Sequence, residues 1–203
     1  MYWILASASP RRAEILGRCG SFTVCPANAD EAVDEALSPT NTVKTLSRRK
    51  AEAVFEVAKN KPVDGKVPGL DIPILGADTL VELNGKLLGK PKNAEDAAAM
   101  LRALSGKKHA VHTGITVFFR GKAETASEST EVLFRALSEE EIAAYVATGE
   151  PFDKAGAYGI QEIGSLLVES INGDYDNVVG LPLAALYRLM RERFSVSFAE
   201  FIG

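Results

Sequence analysis

The chain has few of the residues that most often carry catalysis or bind metals. Among 203 residues there are two histidines and two cysteines. Cys19 and Cys25 match no common metal or redox spacing, and they read as reduced thiols filling space beside the first helix. His109 and His112 lie three residues apart in a segment of strand character. Side chains so spaced point to opposite faces of a strand, so the two cannot grip one metal together and read as polar strand positions. Any hydrolysis would therefore have to rest on carboxylates and a hard cation. Long apolar runs are missing as well. Met1 to Ala6 gives way at once to Ser7, and no later stretch approaches the ~20 apolar residues of a membrane span. The expectation is a soluble, cytoplasmic protein with no membrane partner. Nor is there an excess of positive charge: a formal net charge of -4 and a pI near 5.4 argue against a nucleic-acid partner, which needs a basic face. The sequence also contains no G-x-x-x-x-G-K-[ST] loop, no G-x-S-x-G elbow and no G-x-G-x-x-G fingerprint. P-loop, α/β-hydrolase and dinucleotide-binding readings lose their main support.

What the chain does have is apolar mass with charges in costly places. At 46% hydrophobic it can bury a substantial core, and with no internal repeat or shift in composition residues 1–203 read as a single domain. The stretch Ile72 to Pro91 opens as a buried strand interrupted by Asp78, a carboxylate that is expensive there unless it has work to do. Alternation through Val81 and Leu83, the pair Asn84-Gly85 and a second apolar run predict a hairpin, with Lys90 just beyond its second arm. Tyr2 to Ala6 reads as a first strand. Ser9-Pro10 then starts a helix over residues 11 to 18, and its amino terminus offers unpaired N–H groups to an anion. Arg11 and Arg12 sit in that first turn, where cations are disfavoured unless an anion joins them. An acidic segment holding Asp30, Glu31, Asp34 and Glu35 reads as a solvated loop.

Pro39 to Asn60 reads as an amphipathic helix with Val43, Leu46, Ala53 and Val57 on its buried stripe. Lys50 falls on that stripe and needs a partner, whereas Arg48 and Arg49 can face water. Lys61 to Asp71 is a surface connection free to vary. Asn93 caps a helix through Leu104, and residues 108 to 134 form a half-exposed hairpin turning at Arg120-Gly121. Ser138 to Glu141 is a capping box for a helix that stops at Gly149. Residues 150 to 161 form a glycine-rich loop of the kind that holds sites on a rigid scaffold. Leu166 to Ile171 is a further strand, and Leu181-Pro182 opens the last helix. Strands alternating with helices and then turning to hairpins predict a mixed α/β sheet flanked by helices. Arg11, Arg12, Lys50, Lys90 and Lys154, gathered around one carboxylate, would suit a polyphosphate.

Several blocks follow one another over nearly the whole chain: LASASPRR at 5 to 12, LSRRKA at 46 to 51, GADTLV at 76 to 81, LLGKP at 87 to 91, MLRALSGKKHAVHTGI at 100 to 115, GEPFDKAGAYGIQ at 149 to 161 and INGDYDNVVGLPL at 171 to 183. In sequence and order they resemble the Maf family of nucleoside triphosphate pyrophosphatases. The resemblance implies a fold shared with inosine triphosphate pyrophosphatases, in which an elongated mixed sheet is flanked by helices and two lobes border a central cleft. It implies hydrolysis between the α and β phosphates to a monophosphate and pyrophosphate, with a divalent cation, Mg2+ or Mn2+, in a chain that is often a homodimer.

Carried over to this sequence, Asp78 is the active-site acid, either the base that activates water or a metal ligand that helps generate hydroxide. Glu31 matches an acidic position that supplies a metal ligand. Ser7, Ser9, Arg12, Lys50, Lys90 and Lys154 would hold phosphates. Asp153 would orient Lys154, cap the loop or touch metal. Arg11, Thr79 and Gln161 match substrate-specificity positions. Asp78-Thr79 together with Gly159-Ile160-Gln161 is the pattern of the dTTP/UTP branch, and the 7-methyl-GTP branch differs there. Threonine and glutamine present donor and acceptor together, as a pyrimidine edge requires. Departures from the pattern are mild: Leu80, the acidic Asp174 and Asp176, and the long 61–71 connection. The implied role is removal of non-standard pyrimidine nucleotides from the precursor pool. The family is also associated with septum formation, so the alternatives are a 7-methyl-GTP pyrophosphatase and a non-catalytic nucleotide-binding regulator of cell division.

Overall fold

A computed structural model describes residues 1–32 and 36–203, so that of the acidic segment Asp34 and Glu35 fall outside the described residues. The apolar opening forms β1 (Tyr2–Leu5), parallel to β2 (Ser21–Val24) with Trp3 opposite Phe22. Between them α1 (Pro10–Leu16) is capped by Ser9, with Pro10 at its first position. A serine hydroxyl that accepts an orphan N–H, followed by a residue with no N–H to satisfy, is what starts the helix here. Helix α2 (Pro39–Ala58) repeats the device with Ser38 and Pro39.

Strands β3 (Ile74–Leu83) and β4 (Lys86–Leu88) form the expected hairpin, Val81 facing Leu88. Asn84 and Gly85 both take positive φ, 51° and 81°, which a two-residue type I′ turn demands and these two residues tolerate best. Then come α3 (Ala94–Leu104), β5 (Lys108–Phe119), β6 (Lys122–Phe134) and α4 (Glu139–Ala147), the last opened by the Ser138/Glu141 capping box. After short 3-10 turns the chain forms β7 (Val168–Asn172), α5 (Tyr175–Val179), α6 (Leu183–Phe194) and α7 (Phe198–Ile202). Helices α5 and α7 have five residues each, too few to display a helical period in sequence.

Among the described residues seven strands make one mixed sheet, in the order β2-β1-β3-β5-β6-β7 with β4 paired to β3. No helix among them is long and apolar enough to cross a membrane. The chain groups into two compact units. The first comprises Met1–Asp78, Thr113–Glu128 and Gly180–Gly203, and the second Thr79–His112 and Ser129–Val179. One cluster in the first unit joins Ile4, Val54, Ile72 and Ile74, with Phe55 stacked on Phe118 beside it. The second is centred on Leu101, Leu104, Val132, Phe134 and Ile142.

Within the first unit α2 lies unusually close to the sheet. A Cβ at Gly76 would overlap the Ser47 carbonyl oxygen, and one at Gly114 would overlap that of Val43. Glycine at both strand positions lets the helix backbone descend onto β3 and β5. This corrects the expected stripe on α2. Val43 and Leu46 are buried, but the later turns bury Ala51, Val54 and Ala58, while Ala53 is half-buried and Val57 exposed. At about 100° per residue Val57 lies between Val43 and Leu46 around the axis, so its exposure comes from the packing: the buried face turns toward Ala51, Val54 and Ala58 in the later turns, and Lys50 lies at its margin. Two more expectations change. Strand β5 is buried along most of its length rather than half-exposed. The 61–71 connection is not free to vary, since Pro68 and Gly69 are buried at one end and a Cβ at Gly69 would enter the Phe55 ring.

Substituting Gly114→Ala should destabilise the protein by roughly 2–3 kcal/mol, the upper part of the range for overpacking, because the clash is with backbone rather than a movable side chain. Urea denaturation midpoints of the two proteins measure it, and an unchanged midpoint would show that α2 moves away at no cost.

Candidate active site

In the first unit the geometry centres on one ammonium group. Lys50 projects from α2, its side chain only 13% exposed, and Nζ lies 2.6 Å from Asp78 Oδ1 and 2.8 Å from Glu31 Oε1. The requirement that a lysine on the buried face find a partner is met twice over. Asp78 ends the apolar run of β3, is 8% exposed and donates nothing; its Oδ1 accepts from Lys50, and among the described residues no group hydrogen-bonds Oδ2. Glu31 reaches Lys50 from an irregular segment that Arg49 holds in place. Arg49 Nη1 donates to the carbonyls of Ala32 at 2.7 Å and Asp30 at 3.3 Å, and the Asp30 carboxylate accepts from the Ala32 N–H. Arg49 thus does more than face water, as expected for it, whereas Arg48 pairs with exposed Glu52 on the helix surface.

The start of α1 adds a second cationic group. Arg12 Nη1 donates to Ser7 Oγ at 3.1 Å, and Nε donates to the Gly180 carbonyl at 2.8 Å. Ser7 Oγ also accepts from the Ser9 N–H, while Ser9 Oγ caps the helix by accepting from the Arg12 N–H. Burial lowers the Arg12 pKa from its ordinary value, Asp78 opposes that shift, Arg11 reinforces it and Glu31 opposes it again. A guanidinium remains charged regardless. With only seven residues, α1 has a weak dipole, so the anion-attracting character of this corner comes from Arg11 and Arg12 more than from the helix end.

Asp78 and Glu31 offer oxygen donors only, the kind a hard cation takes, but here both are engaged by the Lys50 ammonium. Asp78 and Glu31 converge on one point, and among the described residues no group of three or more His, Cys, Asp or Glu is arranged around a metal. Two carboxylates with no soft donor are what Mg2+ takes when substrate phosphates and water complete its shell.

In the second unit Thr79 is half-buried at the head of the hairpin. Lys90 is exposed, and among the described residues no acid pairs with it. Lys154 is not so placed: Nζ donates to the Glu150 carbonyl at 2.7 Å and to Asp153 Oδ1 at 2.8 Å. Asp153 therefore orients Lys154, one of the roles foreseen for it. Gln161 is half-buried in the loop after two successive left-handed residues, Gly156 at φ 70° and Ala157 at φ 60°. A left-handed alanine is a strained position of the kind that gathers at functional sites.

Residues 2–193 match the protein family described as Maf-like protein. The chain belongs to the Maf family. Its relatives include a dTTP/UTP pyrophosphatase of Agathobacter rectalis, 47% identical over 197 residues that cover 93% of this chain and 96% of that protein. A protein of the same name from Thermococcus kodakarensis is 46% identical, covering 95% and 97%. Another from Bacillus pumilus is 44% identical, covering 96% and 97%.

Of the residues singled out in the sequence of this Maf chain, the structure gathers Asp78, Lys50, Glu31, Ser7, Ser9, Arg11 and Arg12 in the first unit. Thr79, Lys90, Lys154 and Gln161 belong to the second, and the division falls at the peptide bond between Asp78 and Thr79. Arg49, Tyr145, Glu150 and the Gly180 carbonyl were not singled out. For Arg49 the signal was its place beside Lys50, and for Glu150 its place opening the glycine-rich loop.

Both histidines are buried rather than ordinary polar strand positions. His112 Nδ1 is 2.7 Å from Ser129 Oγ, and His109 Nε2 is 2.8 Å from Tyr158 Oη, beneath the late loop. Burial drives the His109 pKa down from 6.5 to about 4. The unfolded chain therefore takes up a proton below 6.5 that the folded Maf chain refuses until about 4. Stability is complete above the unfolded value and falls with decreasing pH through that window. Between about pH 7 and pH 5 the loss from this residue is about 2 kcal/mol. Urea midpoints across that range should show it, and His109→Gln should flatten the slope.

Proposed function

We propose that this Maf chain is a pyrophosphatase that hydrolyses dTTP and UTP, and related modified pyrimidine nucleotides, to the monophosphate and pyrophosphate. The observation that carries the reading is the Lys50 ammonium held between Asp78 and Glu31, beside the Arg12–Ser7 pair. A carboxylate pair with two cations suits the charge of a polyphosphate and its activated water. A module that only bound nucleotide would gain nothing from carboxylates next to phosphate. The names of the relatives, and Asp78-Thr79 with Gly159-Ile160-Gln161, support a pyrimidine triphosphate over 7-methyl-GTP.

In this reading Lys50 and Arg12 bind phosphate oxygens, with Ser7, Ser9, Lys90 and Lys154 supplementing them and Arg11 assisting specificity. Lys50 fixes the Asp78 carboxylate through Oδ1, so that Oδ2 faces the attacking water. The water oxygen joins phosphorus, its proton passes to Asp78, and the bond between the α and β phosphates breaks with pyrophosphate as leaving group. Asp78 and Glu31 would hold a divalent cation, which when bound neutralises phosphate charge and acidifies water. Thr79 and Gln161 read the base. Residues 1–203 serve in this reading as a single catalytic domain, in the cytoplasm, clearing non-standard pyrimidine nucleotides from the precursor pool.

A panel of nucleoside triphosphates with Mg2+ or Mn2+, followed by pyrophosphate release, tests the proposal. dTTP and UTP should be turned over fastest, and Asp78→Asn should lower the rate by roughly 10²–10⁴-fold, the span that one positioned acid–base group contributes. Release from none of the panel would sink the enzymatic reading, and a preference for 7-methyl-GTP would overturn the choice of base.

A further inference from the structure

The second unit contains a hydrogen-bonded device that the reaction as proposed does not use. Tyr145, on α4, is 3% exposed. Its hydroxyl donates to Glu150 Oε1 at 2.9 Å and accepts from the Gly159 N–H at 3.2 Å. Glu150 Oε1 also accepts from the Gly164 N–H at 3.2 Å, and Oε2 accepts from the Ile163 N–H at 3.1 Å. One phenol and one carboxylate thus take up three backbone amides, and these bracket Gln161 from two residues before it to two and three residues after.

The surroundings admit little variation. A Cβ at Gly164 would overlap the Gly159 carbonyl and come within 2.6 Å of the Tyr145 oxygen, and one at Gly159 would come within 2.6 Å of the Lys154 stem. Lys154 is itself tied to the Glu150 carbonyl. Burial raises the pKa of Tyr145 above its ordinary value, which keeps the phenol a proton donor to Glu150. The side chain at the centre is different: among the described residues none hydrogen-bonds the Gln161 amide. Its donor and acceptor are open to a ligand as far as the described residues go, and the backbone that presents them is held on both sides.

We propose that Tyr145 and Glu150 are positioning residues for base recognition, holding the 159–164 segment in the course that presents the Gln161 carboxamide. The inference rests on the reading of Gln161 as the group that meets the base. A long amide side chain on a loose loop would spend binding energy on being ordered, and it would meet right and wrong bases nearly alike. Held by its backbone, it penalises a base whose donors and acceptors do not match. The device therefore governs selectivity between bases and leaves the phosphate chemistry untouched.

The test is a double-mutant cycle on the full chain, with Tyr145→Phe, Gln161→Ala and the double variant, each assayed for kcat and KM on dTTP and on dGTP. Tyr145→Phe should lower the dTTP-to-dGTP ratio of kcat/KM by about tenfold, mainly through KM for dTTP, with kcat on dGTP unchanged. In the Gln161→Ala background the same change should alter the ratio by less than about twofold. Independent, multiplicative effects would overturn the inference, as would an equal loss on both substrates. If Gln161→Ala leaves the ratio unchanged, the base reading fails and the inference falls with it. If Gln161→Ala lowers the ratio but Tyr145→Phe does not, the base reading stands and the positioning role alone is lost. Should Tyr145→Phe not fold, Glu150→Gln takes its place in the cycle. It turns one acceptor into a donor facing a backbone N–H and is expected to lower the ratio in the same way, with the same outcomes overturning the inference.

Discussion

The lysine ammonium shared by Asp78 and Glu31 is the interaction on which the first unit's site depends. A nearly buried ion pair gives little net stability, because desolvation consumes most of the attraction. What it gives is position. Lys50 draws an aspartate at the end of a buried strand and a glutamate on an irregular segment to within hydrogen-bond distance of one atom. That placement works only because α2 rides low on the sheet, over Gly76 and Gly114, where any side chain would meet helix backbone. Two residues without side chains thus fix where a charged side chain ends. Arg49, the neighbour of Lys50, secures the backbone around Glu31 from the same helix, so two successive residues of α2 serve the site by different means.

The second unit uses hydrogen bonds to backbone amides where the first uses charge. The segment from Glu150 to Gly164 has little regular structure, and buried backbone groups without partners are costly. Tyr145 and Glu150 accept the amides that a helix or strand would otherwise have satisfied. Beneath them His109 and Tyr158 form a buried polar pair in which the histidine stays neutral. The loop is ordered by satisfaction of its polar atoms, at the expense of strain at Ala157 and a dependence on glycine at 159 and 164.

Much of this was legible in the sequence. The caps at Ser9, Ser38, Asn93 and Ser138, the Asn84-Gly85 turn and the apolar run into Asp78 are local signals, each set by residues within a few positions of one another. The residues singled out for chemistry included Asp78, Lys50, Glu31 and Arg12, which the structure brings together. Other features were less legible. The buried face of α2 was misplaced because it turns along the helix, from Val43 and Leu46 to Ala51, Val54 and Ala58, following what the helix packs against. Strand β5 was read as half-exposed because its cover comes from elsewhere in the chain, and α5 and α7 were too short to show a period.

By itself the sequence determined where elements begin and turn, which charges stand in apolar surroundings, and the family to which the chain belongs. Those properties depend on neighbours along the chain or on the order of motifs. Only the tertiary structure decided which partner each charge would have: that Lys50 takes two carboxylates, that Lys154 is held by Glu150 and Asp153 while Lys90 stays exposed, and that Arg12 reaches a carbonyl at Gly180. The Lys50 and Arg12 pairings join residues 19 to 168 positions apart in sequence, and even the local Lys154 pairs depend on the course of an irregular loop, so packing sets these distances and no periodic pattern encodes them.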